Sequence, residues 1–240
     1  MKRLPVISGV FGCLCIACVS VSGQQPKAQH EPYFIHADRL PLAAIIPAPP
    51  AAGSDTAKAE LAELHRIQAK RTQKQIDAAR ADEAEQDIFI YSSVLGEKFN
   101  AQALPLTAAF SKHVHGEEPI VSDELKKLYA RPRPYQIDAA IHPVCKVTEK
   151  HDSYPSGHSL SGYLLAFTLI EMVPEKKAEI LQRADGYAHN RLVCGVHSPS
   201  DLEASRRIAY AMFGSLMQEP RFQQELAAAR AETRHALGLK

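Results

Sequence analysis

Apolar positions along this 240-residue chain recur at three- and four-residue steps, and almost nowhere in strict alternation. Ala57, Leu61, Leu64 and Ile67 fall on one helical stripe, and Thr72 is placed to cap a second helix directly after it. Ser122, followed by Asp123 and Glu124, predicts the start of a further helix through Leu125 and Leu128, which Pro132 and Pro134 end. From Gly157 to Met172, Leu160, Tyr163, Leu164, Phe167 and Ile170 share one stripe, the mark of an inward-facing helix. Pro174 in a first turn opens the next, with Ile180, Leu181, Ala184, Tyr187 and Ala188 inward. Two more helices run from about Pro199 to Met217 and from Pro220 towards His235. With no strand-like alternation and no internal repeat, the pattern predicts an all-α, single-domain helical bundle over residues 56–240.

The N-terminal quarter reads differently. Lys2 and Arg3 precede an apolar run from Leu4 to about Val19, then the small residues Ser20, Val21, Ser22 and Gly23. That is the layout of a signal peptide over residues 1–23, too short and wrongly flanked for a spanning helix. Cys18, preceded by Ile16 and Ala17, carries a weaker lipoprotein-type pattern. Residues 24–55 hold Pro26, Pro32, Pro41, Pro47, Pro49 and Pro50 with few apolar periods, which predicts an extended arm lying on the body.

Export changes the charge and the cysteine chemistry. Removing the leader lowers Lys plus Arg from 28 to 26 against 27 Asp plus Glu, a net charge near −1. Such a balance gives no support for nucleic-acid or anionic-membrane partners. No later apolar run reaches membrane length, because Leu164 to Val173 is interrupted by Glu171 and stopped by Pro174. Of five cysteines, Cys145 and Cys194 survive cleavage, and an oxidising compartment favours one disulfide between them. Closing that loop contributes on the order of 4 kcal/mol in the chain-entropy description.

Four short groups carry candidate chemistry. Lys126 is followed seven residues later by Arg133 and Pro134, with the second cation projecting from a proline-held extended exit; alone, such a pair is commonly a solvated helix end. Pro155-Ser156-Gly157-His158 precedes the most apolar helix, so free amides and a positive dipole end make an anion site, or else an ordinary cap with a surface histidine. Arg191 continues the inward stripe of Ile180, Ala184 and Tyr187 and needs an anionic partner, which a structural carboxylate or a bound phosphate supplies. His197 stands four residues before Asp201, with Ser198 as cap and Pro199 as first helical residue. That spacing suits an Asp accepting the Nδ1–H of His197 and leaving Nε2 as nucleophile; otherwise Asp201 is only a helix-start charge.

In this order and at these intervals, Lys126, Arg133-Pro134, Pro155-Ser156-Gly157-His158, Arg191, His197 and Asp201 resemble the signature of the type 2 phosphatidic acid phosphatase and vanadium haloperoxidase superfamily. With a leader, a proline-rich arm, Arg131-Pro132-Arg133-Pro134 and Cys194-Gly195-Val196-His197, the chain is most similar to its bacterial class A non-specific acid phosphatases, over roughly residues 40 to 217. The departure is Asn190, where that family usually has Ser.

The resemblance implies the family's helical bundle and a periplasmic or secreted acid phosphatase acting on small phosphomonoesters without cofactor or metal. The resemblance leaves open hydrolysis against transfer of the phosphate to alcohols, and the assembly state, homo-oligomers being known in such a family. Lys126, Arg133, Ser156, Gly157 and Arg191 would hold the phosphate, three cations taking the place of a metal pair. His197 would attack phosphorus, and His158 would protonate the leaving group and then activate water. This scheme predicts an acid-side pH optimum, where His158 is protonated and Asp201 ionised. The competing readings are a vanadium haloperoxidase, for which the chain is short, and a phosphate-binding protein without catalysis. His113 and His115 point apart on a helix with no carboxylate spaced beside them, so no metal site is expected there. His189, next to Asn190, reads equally as substrate contact or surface.

Overall fold

The computed structural model describes Met1, residues 32–35 and residues 40–239. Beyond Met1, the leader expected over residues 1–23 and the first part of the arm, to residue 31, lie outside the described residues. Within the described part there is no strand.

The helix starts follow their local capping chemistry. Helix α1 (Asp55–Lys70) opens where Ser54 Oγ accepts the Ala57 amide, and α2 (Gln73–Ala84) opens on a capping box between Thr72 and Gln75. After the long α3 (Pro105–Tyr129) come α4 (Gly157–Met172), α5 (Lys177–Val193), α6 (Pro199–Leu216) and α7 (Pro220–Leu237).

Two expectations change. The helix expected to begin at Ser122 is the second half of α3, which runs through Pro119. Ser122 is fully buried, and Phe110, Val114, Val121 and Leu125 make one continuous buried face. Packing along that face offsets the proline's cost of about 3 kcal/mol. Helix α4, expected to bury one stripe, is buried on nearly every side: Leu160, Leu164, Leu165, Leu169 and Met172 are 0–1% exposed. A helix apolar all round belongs at the centre of its fold. Here α3, α5, α6 and α7 pack around it, each buried leucine contributing about 2 kcal/mol. Gly162 permits the close approach of α5, since a Cβ there would stand 2.6 Å from the Tyr187 ring.

The described part of the arm is tied down by one side chain. Glu117 accepts the backbone amides of Tyr33 (2.8 Å), Phe34 (2.7 Å) and Ile35 (3.3 Å), while Phe34 and Ile35 enter the core. Cys145 and Cys194 form a disulfide, Cα to Cα 5.2 Å, linking the loop after Arg133 to the end of α5. No described helix is long and apolar enough to cross a membrane.

Candidate functional site

The chain leaves α3 through Ala130, in a left-handed conformation at φ 40°, into the proline-held run Arg131-Pro132-Arg133-Pro134. Arg133 is therefore extended, as its flanking prolines require. Its exit, the N-termini of α4 and α6 and the C-terminus of α5 converge at one end of the bundle. There Lys126, Arg133, Gly157, His158, Arg191 and His197 line one cavity of about 300 Å³.

His197 is 2% exposed, and both ring nitrogens are spoken for. Its Nε2 lies 3.1 Å from Arg133 Nη1, which can only donate, so Nε2 carries the lone pair. The proton is then on Nδ1 and goes to the Ser153 carbonyl at 2.9 Å, with Asp201 Oδ2 farther away at 3.4 Å. The expected Asp201 is within reach of Nδ1, and the Ser153 carbonyl, which sequence reasoning did not name, is the nearer acceptor. Asp201 is shared with other donors. Its Oδ2 accepts the Ser153 hydroxyl (2.6 Å) and the Ser198 amide (2.8 Å), and its Oδ1 accepts from Arg131. Arg131 is held from the other side by Glu60 of α1 at 2.8 Å.

Burial pushes the His197 pKa well down, and the charges of Arg133, Arg191 and Lys126 add to this. The ring is kept neutral, the form a nucleophile needs. Burial lowers His158 to about 3, with Arg191 the next cause, and its Nε2 lies 3.1 Å from the Glu83 carbonyl. Burial, and Arg191 after it, thus oppose protonation of His158 in the pocket as it stands. Burial likewise raises Asp201, against the pull of Arg131, Ser153 and Ser198.

Ser156 stands apart from the other expected phosphate ligands. It is fully buried behind the cavity wall, where its Oγ caps α4 by accepting the Ser159 amide at 3.3 Å. Gly157 does face the cavity, and a Cβ there would stand 2.5 Å from Glu118 Oε1. Asn190 points away: its amide donates to Asp82 at 2.6 Å, and Asp82 also takes Arg183. His189 is exposed and outside the cavity. A carboxylate does reach His113, from Glu225 of α7 at 2.7 Å, while His115 meets Ser161 at 2.6 Å. Among the described residues no group of three or more His, Cys, Asp or Glu is arranged to hold a metal ion.

Sequence reasoning missed the acidic part of the wall. Glu83 accepts from Arg191 Nη2 at 3.3 Å, Asp152 from Arg133 Nε at 2.9 Å, and Glu118 Oε1 lies 3.9 Å from Lys126 Nζ. The requirement that a buried Arg191 find an anion pointed to a carboxylate without saying which. Gln86 and the Lys146–Val147–Thr148 segment complete the rim.

The sequence model of the PAP2 superfamily matches residues 106–224, which contain every residue expected to hold phosphate or transfer it. A non-specific acid phosphatase of Salmonella typhimurium is 35% identical over 151 residues, 60% of this chain and 59% of that one. The chain thus spans about three fifths of the length of that relative. A non-specific acid phosphatase of Providencia stuartii is 26% identical over 97% of this chain and 98% of its own. An acid phosphatase of Zymomonas mobilis is 29% identical over 90% and 84%.

Proposed function

The chain belongs to the PAP2 superfamily, and on that premise we propose that it is an exported acid phosphatase that hydrolyses small phosphomonoesters through a phosphohistidine at His197. The observation that carries this reading is the His197 Nε2 lone pair, held 3.1 Å from an Arg133 nitrogen in a cavity that Lys126 and Arg191 also line. A neutral nucleophile among three fixed cations suits an anionic electrophile and little else. The acid phosphatases among its relatives support the same chemistry.

The phosphate dianion or monoanion is held by Lys126, Arg133 and Arg191 with the Gly157 amide at the positive end of α4. Its charge offsets the field that keeps protons off His158, so this ring becomes a usable acid once substrate is in place. Nε2 of His197 forms a bond to phosphorus as the ester oxygen leaves with the His158 proton. His158, now neutral, takes a proton from water, the hydroxide attacks phosphorus, and His197 is released with inorganic phosphate. An alcohol in place of water gives transfer. The cations supply the charge stabilisation, so the reaction needs no metal ion.

The test is chemical trapping. Incubating the protein with p-nitrophenyl phosphate and EDTA, quenching in alkali and mapping peptides by mass spectrometry should place phosphate on His197. Replacing His197 by Ala should lower kcat by at least about 10⁴-fold. Phosphate on His158 would reverse the two roles, and turnover that EDTA abolishes would remove the metal-free mechanism.

A further inference from the structure

We propose that Glu118 selects a protonated oxyanion, acting with Arg191 as a matched acceptor and donor that a phosphate monoanion satisfies together and sulfate does not. The proposal rests on the phosphatase reading and names the ionic form of its substrate.

Among the described residues, the buried side-chain N and O atoms without a hydrogen-bond partner are Glu118 Oε1 and Arg191 Nε. Both residues line the His197 cavity, and they are 9% and 3% exposed. A buried polar atom left unmet is costly, so two in one cavity describe what is to fill it. Arginine can only donate and needs an acceptor; a carboxylate oxygen can only accept and needs a donor. A ligand answering both carries an unprotonated oxygen and an O–H. The phosphate monoanion has both on one tetrahedral centre, whereas sulfate has no proton to give.

The groups around Glu118 leave that role open. Lys126 Nζ is 3.9 Å from Oε1 and donates to Ser122 Oγ at 3.2 Å. The other wall carboxylates are spent, Glu83 on Arg191 and the Lys146 amide, and Asp152 on Arg133. Glu118 Oε1 lies against Gly157, so it stands at the N-terminus of α4, where an anion is best held. The last torsion of a glutamate is soft, which lets the oxygen turn to meet the ligand. A site built around such a hydrogen bond discriminates strongly against the analogue that lacks the proton.

Isothermal titration of the whole protein with inorganic phosphate and with sulfate, at about pH 5 and so below the second ionisation of phosphate and of its monoesters, reads the preference directly. Wild type is expected to bind phosphate at least about tenfold more tightly than sulfate, the size of one unmet buried group. Glu118→Gln keeps the shape but offers a donor, so sulfate should bind about tenfold more tightly than to wild type and phosphate more weakly. Glu118→Ala should fall between. Arsenate, which carries the same proton as phosphate, should be preferred over sulfate by wild type, a comparison that needs no variant. An unchanged sulfate-to-phosphate ratio in Glu118→Gln, or equal binding of arsenate and sulfate by wild type, overturns the role of Glu118 and leaves the phosphatase reading standing. Wild type that binds neither phosphate nor sulfate overturns that reading as well.

Discussion

Behind His197, Asp201 accepts from Arg131, Ser153 and Ser198, and Arg131 is held in turn by Glu60, so each buried charge meets an opposite one. In front of it, Glu118 Oε1 and Arg191 Nε have no hydrogen-bond partner among the described residues, Lys126 Nζ standing 3.9 Å from Oε1. The two layers lie on either side of one imidazole and differ in what completes them. The rear layer is completed by folding: its members come from α1, the α3 exit, the loop before α4 and the start of α6. The front layer keeps two unmet polar atoms, and burial, with the cations next, lowers the pKa of His158 and His197 there.

The sharpest way to break the contrast is to remove the rear arginine. Arg131→Met leaves Asp201 and Glu60 as uncompensated buried carboxylates, and should cost about 3–5 kcal/mol of stability, read as a fall in the denaturant midpoint. A rear layer that only tuned activity would leave the midpoint where it was. Next is the front arginine. Arg191→Gln should lower kcat/KM by about 10²–10³-fold with a smaller loss of stability, because the carboxylate it leaves, Glu83, is partly exposed and still accepts the Lys146 amide. If its unfolding midpoint fell as far as that of Arg131→Met, the distinction between the layers would fail.

The smallest effect is in pH. Burial and the neighbouring cations depress the folded pKa of His158, to about 3 from 6.5, and that of His197, so in the empty pocket both take protons only on unfolding. Their contribution to stability is fully present above the ordinary imidazole range and is lost as pH falls towards the folded values, by at most about 1.4 kcal/mol per pH unit for each ring. Bound phosphate raises both folded values and should flatten that fall. Thermal midpoints between about pH 7 and 4, with and without phosphate, check this. Parallel curves would show that the anion does not reach the two rings.

Much of the site was legible from short-range pattern. Arg191 continues a core stripe at steps of four, three and four, and it is buried where that stripe predicts. Pro132 and Pro134 end α3 and hold Arg133 extended, as their backbone chemistry requires. What pattern left open or misread has one cause. Ser122-Asp123-Glu124 looks like a helix start because capping residues are local, whereas the packing that carries α3 across Pro119 is not. Ser156 reads both as cap and as phosphate donor, and the structure shows its Oγ as the cap, accepting the Ser159 amide from a fully buried position.

The sequence by itself determined most of the helices, α3 apart, together with the cations and histidines of the pocket and the order in which the chain supplies them, because periodicity, capping and proline geometry act within a few residues. Tertiary structure alone decided the partners of those groups. Glu83 meets Arg191 across 108 positions, Glu60 meets Arg131 across 71, and the Ser153 carbonyl meets His197 across 44. A hydrogen bond depends on angstroms and on burial, and neither is written into the spacing of residues that far apart.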